Sequence, residues 1–436
     1  MRKTITVALT AATLAASCAS ARATTITIAT VNNSDMIVMQ KMSHVWEQET
    51  GNKIKWVVLQ ENVLRQRVTT DIATHGGQFD IVSIGAYETP IWAKQGWLVK
   101  LDDFPATYNY NDLLPQVRAA LTVNGAMYAA PFYAESSFTM YRKDLFEKAG
   151  LTMPDQPTYA QIEQFADKLT DQSKQQYGIC LRGKPGWGEN MAYLTTLANA
   201  YGGRWFDMRW KPQLTSKPWE DAITFYVNLM KKDGPPGAAA NGFNENQALF
   251  STGHCAIWID STAAAGKLED PAQSQVAGEV GFAKAPEAVT DKGASWLWVW
   301  SLAIPTSSEH QKTAKSFIEW ATSQKYVDLV AKTDGWVLVP PGTRQSTYDN
   351  PDYIKAAPFA KMTLAAINNA DPKHPTLDPV PYIGVQYATI PPFQQIGTTV
   401  GQDIAGALSG SSSVKDALQT AQDSTTMAMQ QAGYLK

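Results

Sequence analysis

The fold is decided by one stretch in the first half of the chain, Tyr128-Ala-Ala-Pro131-Phe-Tyr133-Ala-Glu135-Ser-Ser-Phe138-Thr-Met-Tyr141-Arg-Lys-Asp-Leu-Phe146-Glu-Lys-Ala-Gly150-Leu151. Its first part is rich in aromatic residues, and Pro131 keeps the preceding residue out of the helical region, so we predict a strand. Its second part predicts a helix, with Asp144 as the N-cap and Gly150 at the end.

A polar island, Glu135-Ser136-Ser137, interrupts the apolar residues of this predicted strand. Such an interruption is expected where a chain leaves one hydrophobic core and enters another. We therefore predict that this segment is a hinge strand between two lobes, and that Glu135 lies at the crossing.

The same stretch carries a family resemblance. The segments Tyr128 to Pro131 and Tyr141 to Leu151, followed by Pro154 and Pro157-Thr158-Tyr159, resemble the interlobe crossover of bacterial extracellular solute-binding proteins of carbohydrate-uptake ABC transporters. Within that family, the mature chain is most similar to members that bind sugar alcohols such as sorbitol and mannitol. The resemblance implies an α/β, two-lobed periplasmic binding protein fold, in which each lobe is a mostly parallel sheet flanked by helices.

Composition agrees with a secreted protein of two lobes. The 436 residues are 44% hydrophobic, which is enough for two separate cores. Arg2 and Lys3 precede an apolar run, and Ala21-Arg22-Ala23 fits a cleavage site, so residues 1–23 are predicted to be a signal peptide. Its removal takes away three basic residues and changes the net charge from −3 to −6. We therefore do not expect nucleic-acid binding.

The three cysteines leave two questions open. Cys18 follows Leu-Ala-Ala-Ser, which only partly fits a lipoprotein box, so a soluble periplasmic protein is favoured over a lipid-anchored one. Cys180 and Cys255 lie in strand-like runs, and an oxidising compartment would permit a disulfide between them. Two buried thiols are the alternative, because sequence does not supply the geometry.

Candidate ligand-binding residues first occur where the predicted strands of lobe 1 end. The mature N-terminus alternates strand, helix, strand and helix, with the first helix expected from about Met36 to Thr50 before a stop at Gly51 and the second from Val63 to His75. This order predicts a largely parallel sheet. Ligands of such sheets gather beyond the carboxyl ends of the strands. The polar residues at those ends are Asn32, Asn33, Gln60 and Glu61.

A further pair of candidates follows from the resemblance alone. The strand Asp80-Ile-Val82 is similar to one in the family whose following loop faces the ligand, so Tyr87 and Glu88 become candidates. A solvated loop acid remains the alternative for Glu88.

The loop from residue 182 to 190 has the densest concentration of candidate residues. Its glycines and its proline exclude regular structure. Polyols offer many hydroxyls and an apolar C–H surface, which planar polar side chains and aromatic faces can hold. The candidates here are Arg182, Trp187, Glu189 and Asn190. A glycine-rich surface loop is the alternative.

Two later strands supply the remaining candidates. Trp258 and Asp260 lie at a predicted strand end, although Trp258 could equally be a buried core residue. Trp296, Trp298 and Trp300 recur at period two and should point to one face of a strand. The family returns to its first lobe here, so Trp298 and Trp300 are both candidates, and at least one of them is predicted to reach the cleft. An aromatic stripe closing a core is the alternative.

The predicted domains combine these features. Residues 24–134 form the first part of lobe 1, residues 135–298 form lobe 2, residues 299–345 return to lobe 1, and residues 346–436 form a C-terminal helical region that packs mainly on lobe 2. The resemblance implies a monomer that captures a polyol by lobe closure and delivers it to the membrane permease subunits of an ABC transporter. The five histidines are scattered without a metal-ligand pair, so no metal is expected, and no cofactor or catalytic residue is predicted either.

Other functions would also place tryptophans and acids around a cleft. A secreted glycan-active enzyme would need two carboxylates with separated pKa values, and Glu135 and Glu189 could be imagined in those roles. Their spacing does not select that function, and no catalytic motif occurs. A receptor for a mono- or oligosaccharide and an open-groove module for polymers are further alternatives.

Overall fold

The structure is a computed structural model that describes residues 23–436. Residues 1–22 of the predicted signal peptide, including Cys18, lie outside the described residues. The strands are β1 (Thr25–Val31), β2 (Lys53–Leu59), β3 (Ile81–Ile84), β4 (Thr122–Val123), β5 (Ala126–Met127), β6 (Ala130–Glu135), β7 (Ser137–Arg142), β8 (Tyr177–Cys180), β9 (Cys255–Ser261), β10 (Val280–Lys284) and β11 (Trp298–Ala303).

Helices surround the strands in both halves of the described chain. The α-helices are α1 (Ser34–Thr50), α2 (Glu61–Ala73), α3 (Glu88–Lys94), α4 (Pro115–Ala120), α5 (Lys143–Lys148), α6 (Tyr159–Leu169), α7 (Asn190–Ala200), α8 (Lys217–Asp233), α9 (Phe243–Ser251), α10 (Ala265–Glu269), α11 (Gln311–Ala321), α12 (Gln324–Thr333), α13 (Gln345–Asp349), α14 (Pro351–Ala356), α15 (Ala360–Asn369), α16 (Phe393–Ser409) and α17 (Val414–Gln431).

Two sheets form the cores of two lobes. The first sheet has the order β2-β1-β3-β11-β6, and the second has the order β10-β7-β9-β8. The predicted crossing is confirmed, since β6 ends at Glu135 in the first sheet and β7 begins at Ser137 in the second. The two-lobed α/β fold is confirmed as well.

The prediction of mostly parallel sheets is wrong, because both sheets are mixed. In lobe 1, β1, β2 and β3 are parallel, but β11 is antiparallel to β3 and to β6. In lobe 2, only the β8–β9 pair is parallel, while β7 is antiparallel to β9 and β10. A strand that leaves a lobe through the cleft and a strand that returns through it must run in opposite directions. The alternating strands and helices near the N-terminus gave no sign of this reversal.

Two helices of lobe 1 begin earlier than the sequence predicts. Helix α1 was expected from Met36 and begins at Ser34, and α2 was expected from Val63 and begins at Glu61. Helix α1 ends as predicted at Gly51, whose φ of 74° suits a glycine. Because α2 starts directly after β2, Glu61 lies in its first turn, facing the edge where the parallel strands end.

The N-cap prediction for Asp144 is also wrong. Helix α5 begins at Lys143, and its N-cap is Arg142. Asp144 lies in the first turn, where it binds the Arg142 guanidinium at 2.7 Å. The Asp144 carboxylate therefore pairs with Arg142, two residues earlier, and does not cap the N-terminus of the helix as the sequence pattern predicted.

The C-terminal helices contact both lobes. Helices α16 and α17 pack on α7 and α8 of lobe 2, while α15 packs against β6, β7 and β10. The Tyr87 hydroxyl of lobe 1 contacts the carbonyl oxygens of Ile390 and Pro391 just before α16. The lobe boundaries drawn from the sequence remain a prediction. Among residues 23–436, none of the helices has the length and apolarity needed to cross a membrane.

A disulfide joins Cys180 of β8 to Cys255 of the neighbouring strand β9, with their Cα atoms 5.9 Å apart. That separation lies within the usual range for a disulfide. The bond ties residues 75 positions apart in the chain, so it restricts the unfolded state of lobe 2.

We predict that replacing both cysteines, as Cys180→Ala with Cys255→Ala, lowers the free energy of unfolding by about 2–5 kcal/mol, because the unfolded chain regains loop entropy. Urea denaturation of oxidised protein measures the change. Reductant should destabilise the wild type and leave the double variant unaffected. A double variant as stable as the oxidised wild type would show that the bond contributes nothing.

Candidate functional site

An enclosed cavity lies between the two lobes, beside the chain crossings. Its volume is about 30 Å³. Its wall draws on the strand ends of both lobes, on the first turn of α2 and on the C-terminal region. The lining residues are Asn33, Glu61, Arg65, Glu135, Arg182, Trp187, Gly188, Ala192, Phe243, Trp296, Trp298, Trp300 and Gln386. Most of these side chains are buried, so a ligand can enter only if the lobes separate.

Lobe 1 presents an ion-paired arginine to the cavity. The Glu61 Oε1 atom accepts hydrogen bonds from Arg65 Nε at 2.9 Å and Nη2 at 2.7 Å. Arg65 Nη1 donates to Glu88 Oε1 at 2.6 Å. Burial alone would lower the pKa of Arg65, but the charges of Glu61 and Glu88 outweigh it and raise that pKa. The guanidinium is therefore a fixed charge held by two acids of its own lobe.

Three tryptophans surround this guanidinium. The Arg65 Cζ atom lies 3.9 Å from the ring centre of Trp187, 4.8 Å from that of Trp298 and 5.0 Å from that of Trp300. Trp187 meets Trp298 edge to face at 5.6 Å. Desolvated cation–π contacts of this kind can be worth about 2 kcal/mol each. Because Trp187 belongs to lobe 2, the stack also joins the two lobes.

The charged groups of lobe 2 pair mainly with each other. Arg182 Nη2 donates to Asp260 Oδ1 at 2.6 Å and Nε donates to Oδ2 at 2.9 Å. Asp260 also accepts a hydrogen bond from Trp258 Nε1 at 3.0 Å. Asp260 is fully buried behind Arg182, so it positions the arginine and does not face the cavity.

Glu135 stands at the crossing between the lobes. Its Oε2 atom accepts a hydrogen bond from Ser261 Oγ at 2.6 Å. Burial, followed by the charges of Asp260 and Glu61, raises the pKa of Glu135 to about 8 against the opposing effects of Ser261 and Arg182. At neutral pH this carboxyl is largely protonated, so it can both donate and accept hydrogen bonds.

Several buried polar atoms around the cavity lack partners. Within residues 23–436, the indole N–H groups of Trp187, Trp296 and Trp298 make no hydrogen bond, and neither does the Oε1 atom of Gln386. The Gln386 amide is held from its other end, where Nε2 donates to Leu297 O at 3.1 Å. Unpaired buried donors and acceptors are costly, which makes them ready partners for hydroxyl groups.

The structure brings seven of the sequence candidates to the cavity. They are Asn33, Glu61, Glu135, Arg182, Trp187, Trp298 and Trp300. Asn33 is held by its Nδ2 donation to Tyr133 Oη at 2.9 Å. All three of the tryptophans that recur at period two line the cavity. Trp296 lies just before β11, and Trp298 and Trp300 lie within it.

The other candidates of lobe 1 lie outside the cavity lining. Asn32 is exposed, and its carbonyl oxygen accepts a bond from Asn244. Gln60 faces Lys184 across the cleft. Tyr87 packs at 4.8 Å from Trp187 without lining the cavity, and Glu88 holds Arg65.

The other candidates of lobe 2 support the wall from behind. Glu189 accepts a bond from Phe243 N, and burial and then the Glu61 charge raise its pKa to about 7. Asn190 Nδ2 donates to Gly401 O at 2.8 Å. Trp258 is fully buried, which agrees with the alternative of a core residue. Asp260 binds Arg182.

Sequence reasoning missed six lining residues, which are Arg65, Gly188, Ala192, Phe243, Trp296 and Gln386. Two of them carried a usable signal. Trp296 shares the period of Trp298 and Trp300, and Arg65 follows Glu61 at the i, i+4 spacing of a helical ion pair. Gln386 lies in an irregular segment, where no periodic pattern indicates which side chains face inward.

Comparison with known proteins identifies relatives that match nearly the whole chain. A mannitol-binding protein of Pseudomonas aeruginosa is 56% identical over 437 residues, which cover 100% of both chains. A crystal structure of an ABC transporter solute-binding protein from Agrobacterium vitis S4 with bound D-mannitol superposes with a TM-score of 0.94 at 59% identity, covering 95% of this chain and 100% of that one.

A second solved structure is more distant. It is an ABC transporter solute-binding protein from Agrobacterium radiobacter K84 in complex with ribitol, with a TM-score of 0.82, 27% identity and coverage of 92% of this chain and 98% of that one. The family model for bacterial extracellular solute-binding proteins matches residues 33–328. These relatives are binding proteins, which argues against the alternative of a glycan-active enzyme. The chain belongs to the family of bacterial extracellular solute-binding proteins.

Proposed function

We propose that this protein is the receptor of an ABC transporter that captures D-mannitol, or a closely related acyclic sugar alcohol, between its lobes. The observation that carries the proposal is the enclosed cavity with its three indole N–H groups and one amide oxygen that lack partners within residues 23–436. The likeness to a mannitol-binding protein and to a mannitol complex supports the choice of ligand.

The cavity suits an acyclic polyol on two counts. The parts of the Trp187, Trp298 and Trp300 rings that Arg65 leaves uncovered offer apolar area to the C–H side of the carbon chain. Glu135, Glu61, Asn33, Arg182 and Gln386 offer donors and acceptors to its hydroxyls. A site built to bond hydroxyls rejects analogues that lack them, because its own polar groups are then left unpaired.

The cellular setting is part of the same proposal. Residues 1–23 direct the chain to the periplasm and are then cleaved, and the mature protein works as a monomer. Its loaded, closed form delivers the ligand to the permease subunits of the transporter. The Arg2-Lys3 pair, the apolar run and the Ala-Arg-Ala site support the first step.

Binding can be measured by isothermal titration calorimetry of the mature protein. We expect saturable one-to-one binding of D-mannitol, recovery of unchanged mannitol, and weaker binding of ribitol, which has one hydroxyl fewer. Glu135→Ala should weaken mannitol binding about 10- to 100-fold, because ligand hydroxyls lose a buried partner.

The matched control is Glu147→Gln in α5, where the side chain is exposed and should not affect affinity. Absence of mannitol binding to the wild type, or conversion of mannitol to a product, would contradict the proposal. An undiminished affinity of Glu135→Ala would remove Glu135 from the site.

The raised pKa of Glu135 makes the stability of the ligand-free protein depend on pH. The folded pKa of about 8 exceeds the ordinary glutamate pKa of 4.5, so the folded state binds the proton more tightly. This contribution is fully present below the unfolded pKa and is lost as the pH rises through about 8. Glu189, whose pKa is raised to about 7, acts in the same direction.

We therefore expect Glu135→Gln, which stays neutral at every pH, to gain stability relative to the wild type between pH 5 and pH 8. Urea denaturation at both pH values measures the difference, with Glu147→Gln as the control. Parallel pH profiles for the wild type and Glu135→Gln would show that Glu135 is not a protonated buried acid.

A further inference from the structure

A loop of lobe 2 rests directly on the first turn of α2 in lobe 1. This 184–188 loop comprises residues 184 to 188, between β8 and α7. Asn62 Nδ2 of lobe 1 donates to the carbonyl oxygen of Pro185 at 2.8 Å. Lys184 Nζ donates to Gln60 Oε1 at 3.3 Å. These bonds join protein to protein across the cleft, at a place where neither Asn62 nor Pro185 lines the cavity.

The loop can approach this closely only because two of its residues are glycines. A Cβ atom on Gly188 would lie 1.9 Å from Glu61 Oε1 and 3.0 Å from Arg65 Nη2. A Cβ atom on Gly186 would lie 2.4 Å from Asn62 Oδ1. Both obstacles belong to lobe 1, so such an added atom would meet them only when the lobes are closed.

The Glu61 side chain that faces Gly188 cannot move aside without the loss of favourable interactions. Glu61 Oε1 holds two hydrogen bonds from Arg65, which is buried and stacked on Trp187. If Glu61 rotated away, Arg65 would lose one of its two acidic partners. The first turn of α2 is thus a firm contact for the incoming loop.

We propose that the 184–188 loop and the first turn of α2 form a latch that holds the closed state, with Gly188 and Asn62 as positioning residues. The inference rests on the proposed function, since closure over an alditol is the event that the latch would stabilise. The Asn62 bond involves no cavity atom, so it stabilises closure equally for every ligand.

This independence from the ligand has two measurable consequences. The ligand enters the open form and is retained by closure, so loss of the Asn62 bond makes closure less favourable and weakens the binding of all ligands by one factor. The bond exists only after closure, so its loss raises the dissociation rate and leaves the association rate unchanged.

The first test uses Asn62→Ala with D-mannitol and D-sorbitol, measured by calorimetry and by stopped-flow tryptophan fluorescence. We expect both affinities to fall by the same factor, about 2- to 10-fold for one lost hydrogen bond, entirely through faster dissociation. Gln66→Ala is the matched control, because Gln66 is an exposed amide residue on the same helix.

The second test adds the obstructing atom. Gly188→Ala should weaken mannitol binding at least tenfold and should enlarge the radius of gyration measured by X-ray scattering under saturating mannitol. Gly406→Ala controls for an added methyl group, because its Cβ would meet only the Ser411 and Ser412 hydroxyls at 3.2 Å and 3.4 Å. In the background of Glu61→Ala, Gly188→Ala should cost less, because the obstructing carboxylate is gone.

The outcomes separate the two proposals. Wild-type protein that binds neither alditol contradicts the proposed function. Wild-type binding with an unaltered affinity in Asn62→Ala, or with a changed ratio of the two affinities, overturns the latch. A cost of Gly188→Ala that is the same with and without Glu61 also overturns it, since the effect would then arise within the loop.

Discussion

The structure depends on one constraint, which is that the chain crosses between the lobes along paired strands. Strands β6 and β11 are antiparallel neighbours, and Glu135 pairs with Trp298 at the point where both leave the first sheet. The lobes must therefore pivot beside this pair. The same geometry places a buried acid and an indole where the chain crosses between the lobes, which is why the crossing residues also line the cavity.

The remaining walls are held by charges that satisfy each other within a lobe. Arg65 is fixed by Glu61 and Glu88 in lobe 1, and Arg182 is fixed by Asp260 in lobe 2. Buried ion pairs of this kind contribute little net stability, but breaking one leaves a costly unpaired charge. Their effect here is to hold rigid donors, acceptors and aromatic faces around the space between the lobes.

The sequence predicted the parts of this arrangement that follow from local pattern. The aromatic stretch broken by Glu135-Ser136-Ser137 located the crossing, and the period of Trp296, Trp298 and Trp300 located a shared face. Ion pairs between residues distant in the chain have no local sequence pattern. Asp260 was therefore predicted to bind the ligand, whereas it is paired with Arg182. Gln386 was missed for a related reason, because only the folded chain brings that irregular segment to the cavity.

The central claim is that the cavity between Glu135 and the tryptophans holds a hydroxyl-rich small molecule. A crystal structure of the mature protein grown with D-mannitol tests it most directly. We expect one mannitol in this cavity, with its carbon chain on the faces of Trp187 and Trp298 and hydroxyls bonded to Glu135 and Gln386. Mannitol bound elsewhere, with this cavity closed to it, would contradict the account.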